Sequence, residues 1–408
     1  MAVSIIEALE IIDKKINSNI TSETVNIEDS LGSIVAKDII AKVDLPKFDN
    51  SAMDGYAINS KNLGETIKIQ NGTIFAGAKE LPNLLEDHAI RIMTGAPIPE
   101  GANIVIPIEN IEFIDEYIKI PFNVKTGANI RLKGEELKSR SVCIKKGDEI
   151  NSYTVTLLAS QGIESIEVFK KPLITVLSSG DELKHYTEKN ISDFEIYNSN
   201  TPMLKTRVRS LNCETMSINS TIDDINSLKE AIVNSLNSDM IITTGGASVG
   251  DKDLTKKAFL ELGMKYLFEK IDIKPGKPTS LGQIGNTYIL ILPGNPMAAM
   301  INFEIFGKFV ISKLKNSAKP YHFVLKAQIS DEYAIKSGKF SVILGYFNGK
   351  KFTPFPNQSP NYLSVLKDAN SFIITKPEIG LLGKNKNINI VMIDKMSEKF
   401  DIEKLFIT

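Results

Sequence analysis

Residues 240–253, MIITTGGASVGDKD, hold the densest group of chemistry-bearing side chains in the chain. The apolar run Met240, Ile241, Ile242 has the length of a buried strand. Gly245, Gly246, Ser248, Gly250, Asp251 and Asp253 follow. A helical pattern comes next, LTKKAFLELG, with Leu254, Ala258, Phe259 and Leu262 on one face and Gly263 as its stop. Strand, glycine turn and helix put the turn at the carboxyl end of a parallel strand, where open α/β sheets bind ligands. Glycines let backbone N–H groups approach an anion, and the helix start attracts negative charge. Two aspartates in such a turn repel a bare phosphate. A divalent cation bridging carboxylate and phosphate oxygens removes that conflict. The turn is not a P-loop, because no GK[ST] ends it. Gly246 to Gly250 does spell the G-x-S-x-G of a hydrolase elbow, which needs a downstream histidine, and only His322 qualifies. A plain turn in which Asp253 caps the helix explains one aspartate but not the glycines, serine and second aspartate together.

Further polar turns lie nearby in sequence. LITVL leads into SSGDEL, YILIL leads into PGNP, and IDIKPGKPTS sets Lys274 and Lys277 about a Pro-Gly pair, an anion-binding feature. Strand-plus-turn units alternating with helical patterns over residues 171–318 predict a doubly wound parallel sheet whose turns converge on one edge. Upstream, SIIEALEIIDKKI reads as a helix opened by a Ser4/Glu7 capping box, with Ile5, Leu9, Ile12 and Ile16 at helical spacing. Residues 46–144 show short apolar runs broken by glycine and proline, the mark of a β-rich module. SYTVTLLASQG predicts a helix capped by Ser152 and closed by Gly162. The module therefore interrupts a mixed α/β linking domain made of residues 1–45 and 145–170. Residues 319–408 return to short strands and predict a small β-domain, sandwich or barrel. The expected fold class is α/β multidomain. The loop at residues 46–56 lacks a clear period, and its composition alone indicates turns.

Composition bounds the function. A chain of 408 residues with 42% apolar content supports two to four domains of roughly 100–200 residues with real cores. A net charge of −1 gives no bulk attraction to nucleic acid or acidic membranes, so an anion site must be built locally. Cys143 and Cys213 form no metal pattern and no disulfide framework. With no 18-residue apolar run and no signal peptide, the chain reads as soluble and cytoplasmic, without membrane or nucleic-acid partners.

PKFDNSAMDGYA, RIMTGAPIPEGANIVIPIEN, NIRLKGEE, SSGDEL, TTGGASVGDKD, KPGKP and LPGNP occur in this order. In order and spacing they resemble the molybdopterin molybdenumtransferase family, which includes bacterial MoeA, the plant molybdenum-insertion domain and the gephyrin E-domain. The resemblance spans nearly the whole chain. It implies insertion of molybdate into adenylylated molybdopterin with release of AMP, a divalent cation such as Mg²⁺, and a homodimer. It further implies a cleft shared between the sheet domain of one protomer and the β-module of the other. Transient contact with the molybdopterin adenylyltransferase and with acceptor molybdoenzymes follows from the same resemblance.

Residue by residue, Asp54, Thr94 and Glu136 match functional positions of the family in the β-module, and Glu182 matches an acidic position in SSGDEL. Asp223 and Asp253 match the acidic positions that would hold Mg²⁺. Lys270, Lys274 and Lys277 would carry the anions, while Pro278 and Asn295 fall in KPGKP and LPGNP as substrate-binding positions. Gly245, Gly246, Ser248 and Gly250 suit a pyrophosphate. The chain departs from the pattern at Glu136, where many members have aspartate, and at Ala298, where many have serine. Phe340, Ser341 and Val342 replace a familiar F-x-R. These departures thin the oxyanion contacts and keep two alternatives open: a tungstate-inserting paralogue, and a scaffold protein that keeps the fold.

Overall fold

The computed structural model describes residues 2–180, 182–220, 225–245, 254–319, 322–359 and 362–393. It is an α/β protein built on three six-stranded sheets with small linking sheets between them.

The first helix, Ile5–Lys15, opens as expected. The Ser4 hydroxyl accepts from the Glu7 N–H at 3.1 Å, and Glu7 Oε2 accepts from the Ser4 N–H at 2.7 Å. Its Ile5, Ala8 and Ile12 side chains enter the largest core, beside Ile174, Ile242 and Leu290 of the central sheet.

That sheet runs in the order Glu214–Ser220, Leu173–Ser179, Met240–Thr244, Thr287–Leu292, Ser280–Ile284, Lys265–Phe268. Its first four strands are parallel and its last two antiparallel. The strand Met240–Thr244 is buried along its whole length, as continuous apolar runs in a doubly covered sheet require. Successive side chains point to opposite faces. Ile174, Val176 and Ile242 pack against Leu204 and Val208 on one face. Leu177, Ile241 and Ile289 pack against Leu228, Ile232, Ala258 and Phe259 on the other. The helix predicted after the glycine turn is Leu254–Glu261, and Ala258 and Phe259 are its fully buried residues.

A second sheet has the order Ile104–Pro107, Gly55–Ile58, His88–Ile92, Thr66–Ile74, Tyr117–Lys119, Glu112–Ile114. The chain on either side of it pairs together: Ser22–Asn26 with Ser165–Phe169, and Ile39–Ile40 with Val142–Ile144. The helix Ser152–Ser160 is capped by Asn151, not by Ser152. Asn151 has the extended backbone of a cap, and its Oδ1 accepts from the Thr154 N–H at 2.9 Å, so Ser152 is already inside the helix.

The third sheet closes into a five-stranded barrel. Phe340–Phe347 pairs with Lys351–Pro354 on one side and Ser371–Thr375 on the other, and Val324–Ile329 and Asn387–Met392 complete the ring. Ile329, Ile343, Phe352 and Ile390 fill it. A sixth strand, Ile273–Lys274, joins the barrel in parallel from the lysine-bearing turn. Among the described residues no helix is long and apolar enough to cross a membrane.

A buried ion pair ties the barrel to the helical layer. Glu304, 2% exposed within the π-helical turn Phe303–Gly307, accepts from Arg207 Nε at 2.5 Å and Nη2 at 3.0 Å. Arg207 Nη2 also donates to the Ile393 carbonyl at 2.7 Å. Removing one partner leaves a partly buried charge uncompensated. Glu304→Ala should therefore lower unfolding free energy by about 3–5 kcal/mol in urea titration, whereas a double Arg207→Met, Glu304→Leu change should cost far less.

Candidate active site

Leu173–Ser179, Met240–Thr244 and Thr287–Leu292 are parallel neighbours, so the turns that follow them leave the sheet at one edge. The turns touch there. A Cβ on Gly245 would stand 3.0 Å from the Ser179 carbonyl oxygen, and one on Gly294 would stand 3.6 Å from the Gly245 Cα. The Ser179 hydroxyl lies 2.9 Å from that of Thr255 at the start of the following helix. Asn200 Nδ2 donates to the Gly294 carbonyl at 2.7 Å. Asn295 occupies the cap position of the helix Pro296–Asn302, with Pro296 in its first turn. Glu182 is exposed beside Gly180 at the same edge, and its carbonyl accepts from the Ile196 N–H at 2.8 Å. Gly246, Ser248, Gly250, Asp251 and Asp253, together with Asp223, lie outside the described residues. Among the described residues no group of three or more His, Cys, Asp or Glu is placed to hold a metal ion.

The lysine turn stands between the central sheet and the barrel. The Ile271 N–H donates to the Lys277 carbonyl at 3.1 Å and the Thr279 N–H to the Gly276 carbonyl at 3.0 Å, closing the loop. The N-terminal segment holds it from behind: Val3 N–H to Lys270 O at 2.9 Å, and Asp272 N–H to Val3 O at 2.8 Å. Lys270 pairs with its neighbour Glu269 at 3.8 Å. Lys274 and Lys277 are exposed, and Pro278 is half-buried. Lys274 lies opposite Ser341 of the barrel, and the two border a cavity of about 240 Å³ with Pro275, Tyr333, Lys336 and Gln358. Lys274 and Lys336 are its cations, and none of its described lining residues is acidic. Val342, at the position of the missing arginine, is 5% exposed and belongs to the main core, so the second cation beside Lys274 is Lys336. Ala298, where many relatives have serine, is 3% exposed. Sequence reasoning missed Lys336. Its only local signal is the polar segment KSGK between strands, which reads as a turn.

A third cluster forms where residues 49–55 meet the turn at residues 94–97. Ser51 and Gly95 and Ala96 exchange backbone bonds of 2.8 and 2.9 Å. Asp54 Oδ1 accepts from both the Thr94 N–H and the Thr94 hydroxyl, each at 2.7 Å. Gly55 must be glycine, since a Cβ there would lie 2.0 Å from the Ile106 carbonyl oxygen. Glu136 is exposed on the RLKGEE turn, which is pinned to the same loop: Glu136 N–H to Leu45 O at 3.0 Å, Gly134 N–H to Pro46 O at 2.9 Å, Lys133 N–H to Asp49 Oδ1 at 2.7 Å. The loop that composition marks as plain turns is therefore a fixed platform for Asp54. Within one chain, the described hydrogen bonds and ion pairs do not join Asp54 and Thr94 to the lysine turn.

Other reactive groups are committed elsewhere. His322 Nε2 lies 2.8 Å from the Glu304 carbonyl oxygen, its ring is near Phe309, and burial lowers its pKa. Both cysteines are free thiols, and burial pushes Cys213 up to about 12. Neither group resembles an activated nucleophile or base.

The Thr94 backbone N–H, and then its hydroxyl, hold the Asp54 carboxyl below the usual carboxylate range. A lowered folded-state value means the charged form is favoured above the ordinary carboxylate pKa and is lost only as pH falls through the lowered one. Thr94→Val removes the hydroxyl and keeps the backbone donor. The Asp54 titration followed by carboxyl NMR should then move upward without reaching the value of a free aspartate.

Residues 3–162 match the family model described as "MoeA N-terminal region (domain I and II)", and residues 175–313 the one described as "Probable molybdopterin binding domain". The chain is 32% identical over 381 residues to a molybdopterin molybdenumtransferase of Haemophilus influenzae, covering 90% of this chain and 93% of that one. It is 35% identical over 326 residues to that of Staphylococcus aureus strain COL, covering 78% and 77%. The crystal structure of the molybdopterin biosynthesis MoeA protein of Pyrococcus horikoshii shares the fold at a TM-score of 0.83 and 24% identity, over 96% of this chain and all of that one. The chain belongs to the molybdopterin molybdenumtransferase family.

Proposed function

We propose that the chain is a transferase of molybdenum cofactor biosynthesis that inserts molybdate into adenylylated molybdopterin and releases AMP. The observation that carries this is the cavity between the lysine turn and the barrel, bordered by Lys274 and Lys336 beside the edge where the three sheet turns meet. Family membership supplies the substrate class. A tetrahedral dianion needs compensating cations and directional donors. Lys274 and Lys336 supply the first, and the Ser341 and Tyr333 hydroxyls the second. The glycine turn after Met240–Thr244 would receive the pyrophosphate.

In the sequence that turn carries aspartates and no histidine or cysteine, a chemistry that fits a hard cation such as Mg²⁺. Asp223 and Asp253 would hold it, with Glu182 at the same edge. When bound, the cation supplies Lewis-acid stabilisation of charge on the leaving phosphate. The protein's own task is to bring the oxyanion and the dithiolene together and to offset their repulsion. Asp54, its carboxylate favoured and fixed by the two Thr94 donors, suits acceptance of a hydrogen bond from substrate. The family resemblance implies a homodimer in which each cleft takes Asp54, Thr94 and Glu136 from the partner, and no described hydrogen bond or ion pair joins Asp54 or Thr94 to the lysine turn of its own chain.

Lys274→Ala and Lys336→Ala should each weaken molybdate binding by calorimetry, more strongly at low salt, because lysines act as point charges. Tungstate should be weakened in parallel, and a lysine site that ignored salt and discriminated sharply between the two oxyanions would contradict this reading. Asp253→Ala should remove Mg²⁺-dependent AMP release. Mixing inactive Asp54→Ala and Asp253→Ala proteins under subunit exchange should restore about a quarter of the activity, since random pairing gives half mixed dimers with one intact cleft each. No recovery after exchange verified by mass spectrometry would assign each cleft to one chain.

A further inference from the structure

We infer that Asn302 is a positioning residue for the oxyanion, fixing the lysine turn through its backbone; this rests on the reading of that turn as the oxyanion site. Asn302 is the last residue of the helix Pro296–Asn302 and is 0% exposed. Its Nδ2 donates to the Pro275 carbonyl at 3.2 Å and to the Ala298 carbonyl at 2.7 Å. One amide group thus fastens the middle of KPGKP to the helix that follows LPGNP. The lysine turn is joined to the last residue of that helix by a side chain that touches no solvent.

The fit between Asn302 and the turn is close. Gly276 has φ +114, and a Cβ there would lie 1.8 Å from Asn302 Nδ2 and 2.8 Å from its Oδ1. The glycine lets the turn settle onto the amide. Lys274 and Lys277 leave the backbone on either side of this contact. Lysine stems are long and flexible, so a fixed point of departure lowers the ordering cost when the Lys274 ammonium group faces an anion in the cavity it borders.

Polar satisfaction argues for function here and against mere packing. Asn302 Oδ1 is buried with no partner among the described residues, and the same holds for Thr279 Oγ1 and Ser280 Oγ at the end of the turn. Each is a buried acceptor left unpaired, which an apolar residue of similar shape would avoid. Local rules broken together in one turn mark a functional site more often than a packing error.

The test uses the full-length protein, molybdate and AMP as separate calorimetric probes, and steady-state AMP release. Asn302→Leu keeps the volume and removes both donors. Gly276→Ala keeps Asn302 and pushes it off the turn. Each should raise the molybdate Kd, and the molybdate KM, by about tenfold, the scale of one well-placed hydrogen bond. Affinity for AMP and kcat at saturating molybdate should stay within about twofold, because the glycine turns are untouched. Thermal melting checks that both variants fold, and Lys274→Ala is run beside them. If Lys274→Ala weakens molybdate while both other variants bind it normally, the positioning role is overturned alone. Parallel loss of AMP and molybdate in both variants would reduce Asn302 to a packing residue and overturn it too. Unchanged molybdate affinity in Lys274→Ala would remove the oxyanion reading, and this inference with it.

Discussion

Parallel pairing of Leu173–Ser179, Met240–Thr244 and Thr287–Leu292 is the constraint on which the site depends. Parallel strands all end on one edge, so each connection must begin there whatever its sequence. Both faces of the sheet are closed by helices, and the edge is what stays open. Backbone groups at that edge are the ones not consumed by the ladder. The connections with glycines crowd together there, and Gly245, at φ +92 with space for a Cβ only 3.0 Å from the Ser179 carbonyl oxygen, shows why a side chain fits poorly.

Against this edge the chain sets charge of both signs. The lysine turn is reached through an antiparallel pair of strands, Lys265–Phe268 and Ser280–Ile284, that extends the parallel sheet and brings residues 269–279 round its end. Glu182, after the strand Leu173–Ser179, brings an exposed carboxylate to the same edge. Neither set can be neutralised by direct pairing without losing its purpose. The Lys270–Glu269 contact is between sequence neighbours and leaves Lys274 and Lys277 exposed.

Much of the architecture was legible in the sequence because it rests on local signals. The Ser4/Glu7 box, the runs MIITT and YILIL, and the helix after Leu254 follow from capping, hydrophobic continuity and period. The cap of the helix at Ser152–Ser160 shifted by one residue because asparagine and serine stand side by side and either can cap. The Asp54 platform was not legible from residues alone. Its fixity comes from bonds to residues 94–96 and 129, far along the chain, and no local period announces them. The pairing of Lys274 with Ser341 was hidden for the same reason, and with it the place of Lys336. Motif order and spacing carried the family where propensity could not.

The strand Ile273–Lys274 has a double allegiance. Its neighbours in sequence belong to the end of the parallel sheet, yet its ladder partner is Phe340–Ser341 of the barrel. The barrel therefore cannot swing away from the sheet without carrying Lys274 along or tearing that ladder. An anion gripped by Lys274 and Lys336 would act as a rivet between the two bodies. By mass action, whatever binds only the docked arrangement also strengthens the docking. Oxyanion concentration would then be read by the chain as mechanical stiffness, with the barrel's seating on the sheet as the gauge.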